Sequence, residues 1–254
     1  MSVKVSIITI VYNNKECIKD AIESVRSQTY PNIEHLVIDG DSTDGTQEEI
    51  APYVNDLGYY VSEKDTGLYN ALNKGIQKAT GDVIGILHSD DLLYEPSTIQ
   101  KIVDCFQQSN PDLVYADGQY VSKEDTAKVK RIYKGKPYKY WTLYYGWVPL
   151  HTTMYIKKEL FNQYGLYDET YRIASDYEYT IRLLKEQLVH KVYLNEWVVK
   201  MRLGGKSTTA KLQKKKSMED LQIIRKHQLM GMFTLAVKII RKIRQYLLPK
   251  FFKY

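Results

Sequence analysis

Cysteine is scarce in this chain, and long apolar runs are missing. Cys17 and Cys105 are the only cysteines among 254 residues, so neither a disulfide framework nor a cysteine-based zinc site is expected. No stretch approaches the roughly 20 consecutive apolar residues that a membrane span needs. The N-terminus lacks the charged region, apolar run and small residues of a signal peptide. These absences predict a protein of the reducing cytoplasm.

Charge is distributed unevenly along the sequence. The hydrophobic fraction of 44% and the charged fraction of 26% are ordinary for a globular protein, which excludes wholesale disorder. From Lys200 to the end there are 15 Lys and Arg against 2 Asp and Glu, a net charge of +13; the preceding residues hold 21 against 28, a net charge of −7. A mildly acidic body carrying a basic tail favours an anionic partner, either nucleic acid or a membrane surface.

Apolar segments alternate with amphipathic segments in the first half of the chain. Strands are expected at residues 3–11, 33–39, 58–62 and 82–87. Helices are expected between them, the first capped by Asn13 or Asn14, the second beginning at Ser42 or Thr43, and the third carrying a buried stripe from Leu68 to Ala79. This alternation predicts an α/β domain with a mostly parallel sheet flanked by helices.

The alternation stops after Pro111. Residues 112–121 read as two strands joined at Asp117-Gly118, and the aromatic, Lys-rich segment 129–147 reads as further strands. A helix is expected near Ser175, a strand at 189–203, and helical structure from Lys211 onward.

Carboxylates follow several of the predicted strands. Asp39 and Asp41 follow the second strand, Asp65 the third, and Asp90 and Asp91 the fourth. Ligands of open α/β sheets bind beyond the carboxyl ends of the strands. Acids that share one site repel each other unless a cation or hydrogen-bond donors lie between them. Mg²⁺ or Mn²⁺ suits such oxygen ligands and bridges to phosphates, so the pattern indicates handling of a nucleotide diphosphate.

Each of these acids also has a structural interpretation. The segment from Asp39 to Gly45 is typical of an Asx turn with a helix cap. Asp90 and Asp91 could equally cap a helix that begins near Pro96. Their joint position at successive strand ends is what favours a binding site.

Four segments carry a family resemblance in their combination and order: "VSIITIVYNN", "VIDGDSTDGT", "DTGLYNALNKGIQKATGDVIGILHSDD" and "ASDYEYTIRLL". Together they resemble a family 2 glycosyltransferase with the GT-A fold, over residues 3 to about 207. The resemblance implies a Rossmann-like domain at 1–207, with a nucleotide-sugar half at about 1–117 and an acceptor half at about 118–207. Residues 208–254 would form a basic amphipathic helical tail.

The resemblance also implies an activity. It is inverting, metal-dependent transfer of a sugar from a nucleotide diphosphate donor, usually UDP, to a hydroxyl of a saccharide. The acceptor would be lipid-linked, and the setting would be bacterial cell-surface polysaccharide biosynthesis.

Ten residues match positions on the donor side of the family: Thr9, Tyr12, Asn13, Asp39, Asp41, Asp65, Asn73, Lys74, Asp90 and Arg202. The resemblance implies that Asp39 bonds the base and that Asp90 contacts the ribose or sugar. Asp91 would ligate Mn²⁺ or Mg²⁺. The segment from Arg202 to Ser207 resembles a loop that closes over the diphosphate.

Asp176 matches the catalytic base of the family, with Glu178 as the second choice. An inverting transfer needs a carboxylate that takes the proton of the acceptor hydroxyl. The structural alternative is a capping box at Ser175 and Glu178, with Asp176 favouring the helix dipole. Trp147 and His151 match a region that contacts the acceptor and the donor sugar.

An apolar stripe with helical spacing runs through the tail: Leu235, Ala236, Ile239, Ile240, Ile243, Tyr246 and Leu247. Basic residues lie largely off the stripe: Lys238, Arg241, Lys242, Arg244 and Lys250. This pattern is typical of a helix lying in the plane of an anionic membrane, here the inner face of the cell membrane. The alternative is a helix packed on the catalytic domain. Nucleic acid is not expected, because the charges follow an apolar stripe.

Two other functions compete with the glycosyltransferase. A nucleotidyltransferase uses a similar sheet and metal site, but it would have a Gly-rich basic loop where this chain has "YNNKECIKD". A non-catalytic membrane adaptor that retains the fold would tolerate loss of Asp91 or Asp176.

Overall fold

The computed structural model describes residues 2–204 and 210–251, which form nine strands in one sheet with helices packed around it. The strands are β1 (Val5–Val11), β2 (Ile33–Asp39), β3 (Tyr59–Ser62), β4 (Val83–Ile86), β5 (Leu92–Leu93), β6 (Leu113–Val121), β7 (Val129–Tyr133), β8 (Met154–Lys157) and β9 (Lys191–Arg202). The α-helices are α1 (Ile18–Arg26), α2 (Thr46–Ile50), α3 (Leu68–Lys78), α4 (Thr98–Ser109), α5 (Lys158–Tyr164), α6 (Ser175–Lys185), α7 (Ala210–Lys226) and α8 (Met232–Phe251). Short 3₁₀ helices lie at Ala51–Asp56, Tyr140–Leu143 and His151–Thr153.

The predicted α/β sheet is confirmed. Strand order is β3-β2-β1-β4-β8-β6-β9-β5, with β7 beside β6, and the first four strands in this order are parallel. The later strands make the sheet mixed, since β8 is antiparallel to both β4 and β6. All seven residues of β1 are buried, as expected for a central strand covered on both faces.

Close packing of α3 on the sheet explains one glycine. A Cβ at Gly75 would come within 2.6 Å of Cγ2 of Ile8, so only glycine lets the helix approach β1 this closely. Leu72 and Ile76 of the helix lie in the same core cluster as Ile8 and Ile38. Each such buried side chain contributes about 1.5–3 kcal/mol of transfer free energy.

The predicted strand break at Asp117-Gly118 is wrong, because β6 runs through it. The Asp-Gly pair lies at an irregularity in the pairing of β6 with β9. Asp117 is buried and accepts hydrogen bonds from the main-chain N–H of Gly135 and from the Tyr193 hydroxyl, at 2.6 and 2.9 Å. A Cβ at Gly118 would lie 2.8 Å from Leu150. The pair therefore marks a bulge and a tight packing position instead of a hairpin turn. The predicted half boundary near residue 117 accordingly falls inside a strand.

Strand prediction for 129–147 holds only for β7. Pro137 cannot donate to a strand ladder, and the hydroxyl of Tyr138 bonds the carbonyl of Leu184 in α6. Residues 140–143 form a 3₁₀ turn instead.

Two predicted helix starts are also wrong, since α1 begins after Cys17 and α2 begins after Gly45. Helix α4 begins near Pro96, as expected, but its N-cap residue is Ser97. Asp90 and Asp91 therefore do not cap α4, which removes the structural interpretation of that acid pair.

Glu34 joins three segments at the edge of the sheet opposite the acidic strand ends. Its carboxylate accepts hydrogen bonds from Ser6 Oγ at 2.5 Å, from the main-chain N–H of Thr80 at 2.8 Å and from Lys4 Nζ at 3.2 Å. Burial disfavours the charged form, but these hydrogen bonds outweigh it and lower the pKa of Glu34 to about 2.

The tail is helical, as expected, and α8 packs on the domain through its polar side. Thr234 and Leu235 are buried, Lys238 pairs with Asp220 at 2.8 Å, and Gln245 accepts a hydrogen bond from the Arg131 guanidinium at 2.8 Å. The opposite side of the helix is apolar and exposed: Met232, Phe233, Ile239, Ile240, Ile243 and Leu247. Phe252 and Tyr254 lie outside the described residues. Within the part of the chain that the structure describes, no helix combines the length and apolarity required to cross a bilayer.

Candidate active site

The loops that follow β1, β2 and β4 are joined by side-chain hydrogen bonds. The main-chain N–H of Asn13 donates to Ser42 Oγ at 2.8 Å, and Asn13 Oδ1 accepts the N–H of Thr43 at 2.9 Å. Nδ2 of Asn14 donates to Ser89 Oγ at 2.9 Å. Parallel strands bring their carboxyl ends to one edge, and these bonds hold the three loops there as one surface.

Asp39 is completely buried beneath this surface. Its Oδ1 accepts a hydrogen bond from Ser42 Oγ at 2.5 Å, and its Oδ2 accepts the N–H of Ser42 at 3.1 Å and Ser62 Oγ at 2.5 Å. The structural alternative is confirmed in part: Asp44 Oδ1 accepts the N–H of Thr46 at 3.0 Å as in an Asx turn, but α2 begins after Gly45 without a side-chain cap. In the structure the Asp39 carboxylate binds protein groups and holds the loop in place. A contact between Asp39 and a nucleobase stays a prediction.

Gly40 allows two predicted donor-side residues to approach each other. A Cβ at Gly40 would lie 2.5 Å from Oδ2 of Asp65 and 3.3 Å from the ring of Tyr12. Tyr12 is 55% exposed, so its ring borders the open surface at the strand ends. A larger residue at position 40 would force Asp65 and Tyr12 apart.

Asp41 and Lys74 lie near the same edge. Asp41 is partly exposed and adopts a left-handed φ of 66°. Lys74 pairs with Glu63 at 2.7 Å and donates to the carbonyl of Lys64 at 3.2 Å, which fixes the segment after β3.

Thr9 and Asn73 are buried and bonded to protein groups. Thr9 Oγ1 lies 3.0 Å from Nε2 of His35 within the sheet. Asn73 Nδ2 donates to the carbonyl of Tyr167 and to Glu169 Oε1, both at 3.0 Å. In the structure these side chains support the site wall, and their donor contacts stay predictions.

Asp90 and Asp91 are held against the end of β9. The main-chain N–H of Arg202 donates to Oδ1 of Asp91 at 3.1 Å, and Nη1 of Arg202 donates to the carbonyl of Asp90 at 3.2 Å. Asp91 is 1% exposed, whereas Asp90 is partly exposed. Burial raises the pKa of Asp91 well above its usual range, and the neighbouring charge of Asp90 adds to the effect; burial also raises the pKa of Asp90.

The residues of this acid pair fit a divalent cation. Oδ2 of Asp91 is buried and has no hydrogen-bond partner among the described residues, so this oxygen lacks the compensation that a buried carboxylate requires. Within residues 2–204 and 210–251, no cluster of three or more His, Cys, Asp or Glu is arranged as a metal site. Mg²⁺ and its analogues use one or two carboxylates together with substrate phosphates, so a pair of acids is sufficient.

Arg202 ends β9 and does not lie in an open loop. Its side chain is 7% exposed, and Nη2 pairs with Asp20 Oδ2 at 2.5 Å. The guanidinium group of Arg202 therefore lies next to the acid pair. Residues 205–207 of the predicted closing loop, Lys206 and Ser207 included, lie outside the described residues.

Asp176 lies in the first turn of α6, within a chain of hydrogen bonds. Tyr69 Oη shares its hydrogen between Oδ1 of Asp176 at 3.0 Å and the carbonyl of Ile173 at 2.9 Å, and Nδ1 of His151 lies 3.1 Å from Oδ2. Nε2 of His151 lies 2.8 Å from Nε2 of His88, which follows β4 directly after Leu87. His88 thus connects the strand end that carries the acid pair to Asp176.

Electrostatics keep Asp176 ionised. Burial by itself raises the pKa of this carboxyl, but the charge and hydrogen bond of His151, with weaker contributions from Lys216 and Lys238, outweigh burial and lower it well below its usual range. The side chain remains 19% exposed. A carboxylate that is ionised and accessible can accept a proton from a bound hydroxyl.

The predicted capping box at the start of α6 does not form. Ala174 occupies the N-cap position, and Ser175 Oγ has no partner among the described residues. Glu219 of α7 instead bonds N–H groups of the residues just before the helix. Its carboxylate accepts the N–H of Ile173 at 2.8 Å and of Ala174 at 3.0 Å.

Two acceptor-side predictions do not fit the structure. Glu178 is 1% exposed and pairs with Arg182, with Lys226 at 3.0 Å and with His227 at 3.2 Å, so it fastens α6 to α7 and does not reach the site. Trp147 is 2% exposed. Its ring packs edge to face on another core ring, with no surface for a sugar.

Three supporting residues were not predicted as site residues: Tyr69, His88 and Glu219. The position of His88 beside the acid pair is a usable signal in the sequence. Glu219 lies 45 residues from its bonding partner Ala174, and no local pattern indicates that contact.

Comparison with solved structures shows the fold. The fold resembles S. aureus TarS 1-349 in complex with UDP, with a TM-score of 0.63 and 20% identity, covering 91% of this chain and 70% of that one. It also resembles a mannosyltransferase from Pyrobaculum calidifontis in complex with GDP-Man and Mn²⁺, with a TM-score of 0.65, 17% identity, and coverage of 94% and 74%. This chain spans 42% of the longer TarS chain. The fold is that of GT-A glycosyltransferases.

Sequence comparison gives the family. The model of glycosyl transferase family 2 matches residues 6–187, and the chain belongs to this family. An uncharacterized glycosyltransferase of Mycobacterium tuberculosis is 30% identical over 180 residues, which are 70% of this chain and 68% of that protein. A PGL/p-HBAD biosynthesis glycosyltransferase of Mycobacterium bovis is 28% identical over 209 residues, 80% of this chain and 79% of that protein. The chain is a glycosyltransferase, and the nucleotidyltransferase and adaptor alternatives are not supported.

Proposed function

We propose that this glycosyltransferase is an inverting, divalent-cation-dependent enzyme that transfers a sugar from a UDP donor to a saccharide hydroxyl. The observation that carries the proposal is the hydrogen-bonded connection of His88, His151 and Asp176. Through it, the strand end with Asp90 and Asp91 lies beside an ionised carboxylate. The groups proposed to activate the donor and to remove the proton therefore lie at one edge of the sheet.

Asp90 and Asp91 would hold the cation, Mn²⁺ or Mg²⁺, which neutralises charge on the departing diphosphate when bound. Oδ2 of Asp91 is the buried oxygen that such a cation would satisfy. The main-chain hydrogen bond from Arg202 to Oδ1 of Asp91 holds the acid pair in position.

Asp176 would take the proton of the acceptor hydroxyl as that oxygen attacks the anomeric carbon. Its two oxygens are oriented by Tyr69 and His151, and each oxygen keeps a lone pair for a further hydrogen bond. Attack from the side opposite the diphosphate inverts the anomeric centre, so a carboxylate on the acceptor side is what the reaction needs.

The donor would be a UDP-sugar. Support comes from a structural neighbour crystallised with UDP and with UDP-GlcNAc, although another holds GDP-Man. Tyr12 offers an exposed ring at the strand ends, where a base can stack.

The acceptor would be a lipid-linked saccharide of cell-surface polysaccharide assembly, used at the inner face of the cell membrane. The outward side of α8 supports this: Ile240 and Ile243 are 61% and 59% exposed. The patch continues through Phe233 to Tyr145 and Trp141, whose rings meet edge to face. Exposed apolar patches with Trp and Tyr at the edge are typical of membrane contact, and the basic tail matches an anionic surface.

A donor panel tests the proposal. UDP-sugars, with GDP-mannose as the comparison, are incubated with the protein and Mn²⁺ or Mg²⁺, and released nucleotide is measured with and without EDTA. We expect metal-dependent UDP release from one UDP-sugar and, with an acceptor, an anomeric configuration opposite to that of the donor. Turnover of GDP-mannose alone, or turnover unaffected by EDTA, would contradict the proposal.

A further inference from the structure

His88 is a partly buried side chain to which the proposed mechanism gives no chemical role. It follows β4 and precedes the acid pair, and its ring meets that of His151 at an interplanar angle of 61° with centroids 5.1 Å apart. The two Nε2 atoms are 2.8 Å apart. This is a hydrogen bond between side chains 63 residues apart, so it joins two separate segments of the site.

The neighbouring carboxylate fixes the hydrogen at one end of the His151 ring. Only one hydrogen fits between two nitrogen atoms at this distance, so one ring donates and the other accepts. Nδ1 of His151 faces Oδ2 of Asp176 at 3.1 Å. An ionised carboxylate only accepts, and Nδ1 therefore carries a hydrogen. Nε2 of His151 shares one hydrogen with Nε2 of His88: a cationic His151 ring, whose charge lowers the pKa of Asp176, donates this hydrogen, and a neutral His151 ring accepts it from His88.

We infer that His88 is a positioning residue for Asp176, acting through His151. The bond from His88 holds the His151 ring at one end, so that Nδ1 at the other end stays aimed at Oδ2 of Asp176. Tyr69 fixes Oδ1 separately. The inference rests on the proposed role of Asp176 as the base. The segment after β4 would then both carry the acid pair and hold the proposed base, Asp176, in position.

Kinetics of two substitutions test the inference. His88→Leu removes the nitrogen that bonds His151, and His88→Gln returns an amide group, which can donate or accept, near the position of Nε2. With the UDP-sugar from the donor panel, we expect His88→Leu to lower kcat at least about tenfold and to leave KM for the donor within about threefold, because misplacement of a reacting group acts on turnover. We expect His88→Gln to restore kcat to within about threefold of wild type. His190→Leu, at an exposed histidine, is the matched control and leaves both constants unchanged.

An unchanged kcat in His88→Leu, or a Gln variant as slow as the Leu variant, would overturn the inference. If His88→Leu does not fold, His88→Asn replaces it, since its shorter amide does not reach Nε2 of His151.

A second measurement needs no activity. ¹⁵N NMR of histidine-labelled, substrate-free protein reports which nitrogen of His151 carries hydrogen. We expect hydrogen on Nδ1 and a hydrogen-bonded Nε2 in wild type and in His88→Gln, and a changed Nε2 signal in His88→Leu. The same His151 signal in all three proteins would overturn the inference. If Asp176→Asn kept full transfer activity, the proposed function would fail, whereas the NMR result would still stand by itself.

Discussion

The main-chain N–H of Arg202 donates a 3.1 Å hydrogen bond to Oδ1 of Asp91, although the two residues are 111 positions apart. The bond ties the loop after β4 to the last residue of β9 and leaves Oδ2 of Asp91 buried without a partner among the described residues. An incompletely compensated buried carboxylate costs stability, and a bound ligand would offset that cost. In our account that ligand is a divalent cation bound with the donor diphosphate.

Substitution of the proposed base should lower turnover without weakening UDP binding. We expect Asp176→Asn to lower kcat by about 10²–10⁴, the usual contribution of a positioned base, while UDP affinity stays within about threefold of wild type. The measurement is steady-state transfer together with calorimetric UDP binding.

Glu178→Gln is the matched comparison for Asp176→Asn. Glu178 is buried in ion pairs with Arg182 and Lys226, so we expect a lower melting temperature and near-normal kcat in the folded protein. Equal kcat losses in the two variants would contradict the assignment of the base to Asp176.

Glu34 should make stability depend on pH. Its pKa is lowered to about 2, so the unfolded chain binds the proton more tightly than the folded chain does. The stabilisation is complete above the ordinary pKa of about 4.5 and is lost as pH falls toward 2. We expect Glu34→Gln to cost about 1–3 kcal/mol in the free energy of unfolding at pH 7 and about half as much or less at pH 3.

Urea unfolding at the two pH values checks this expectation. Glu23→Gln, at a side chain that is 45% exposed, serves as the control and should cost little at either pH. A Glu34→Gln penalty that stays constant between pH 7 and pH 3 would show that the Glu34 charge does not contribute.

The exposed side of α8 should determine membrane binding. We expect the double substitution Ile240→Asn and Ile243→Asn to reduce co-sedimentation with vesicles containing anionic lipid at least about fivefold, since each buried isoleucine contributes about 1.5–3 kcal/mol. Leu188→Asn, at a leucine that is 90% exposed in a distant turn, is the matched control. Equal binding of the double variant and the control would contradict a membrane role for α8.

Periodicity was sufficient to predict the parallel half of the sheet. The continuous apolar run of β1 and the buried stripe of α3 reflect burial on both faces of a strand and on one face of a helix, which are local properties. The alignment of acids at the strand ends follows from the same pattern, because parallel strands end at the same edge.

Contacts between distant segments could not be predicted in this way. Asp117-Gly118 carries a turn signal, yet packing against Leu150 makes it a bulge within β6. Ser175 and Glu178 fit a capping box, but Glu219 supplies the hydrogen bonds from another helix. In each case a contact with a residue distant in the sequence determines the local structure, and the local pattern does not.

The most direct test of the account is calorimetric titration of UDP into wild type and Asp91→Asn, each with and without Mn²⁺, with Asp56→Asn at an exposed aspartate as the control. We predict Mn²⁺-dependent binding in wild type and in the control, and binding at least about tenfold weaker in Asp91→Asn, a loss of about 1.4 kcal/mol. Equal UDP affinity in all three proteins, or binding unaffected by Mn²⁺, would contradict a cation site at the end of β4.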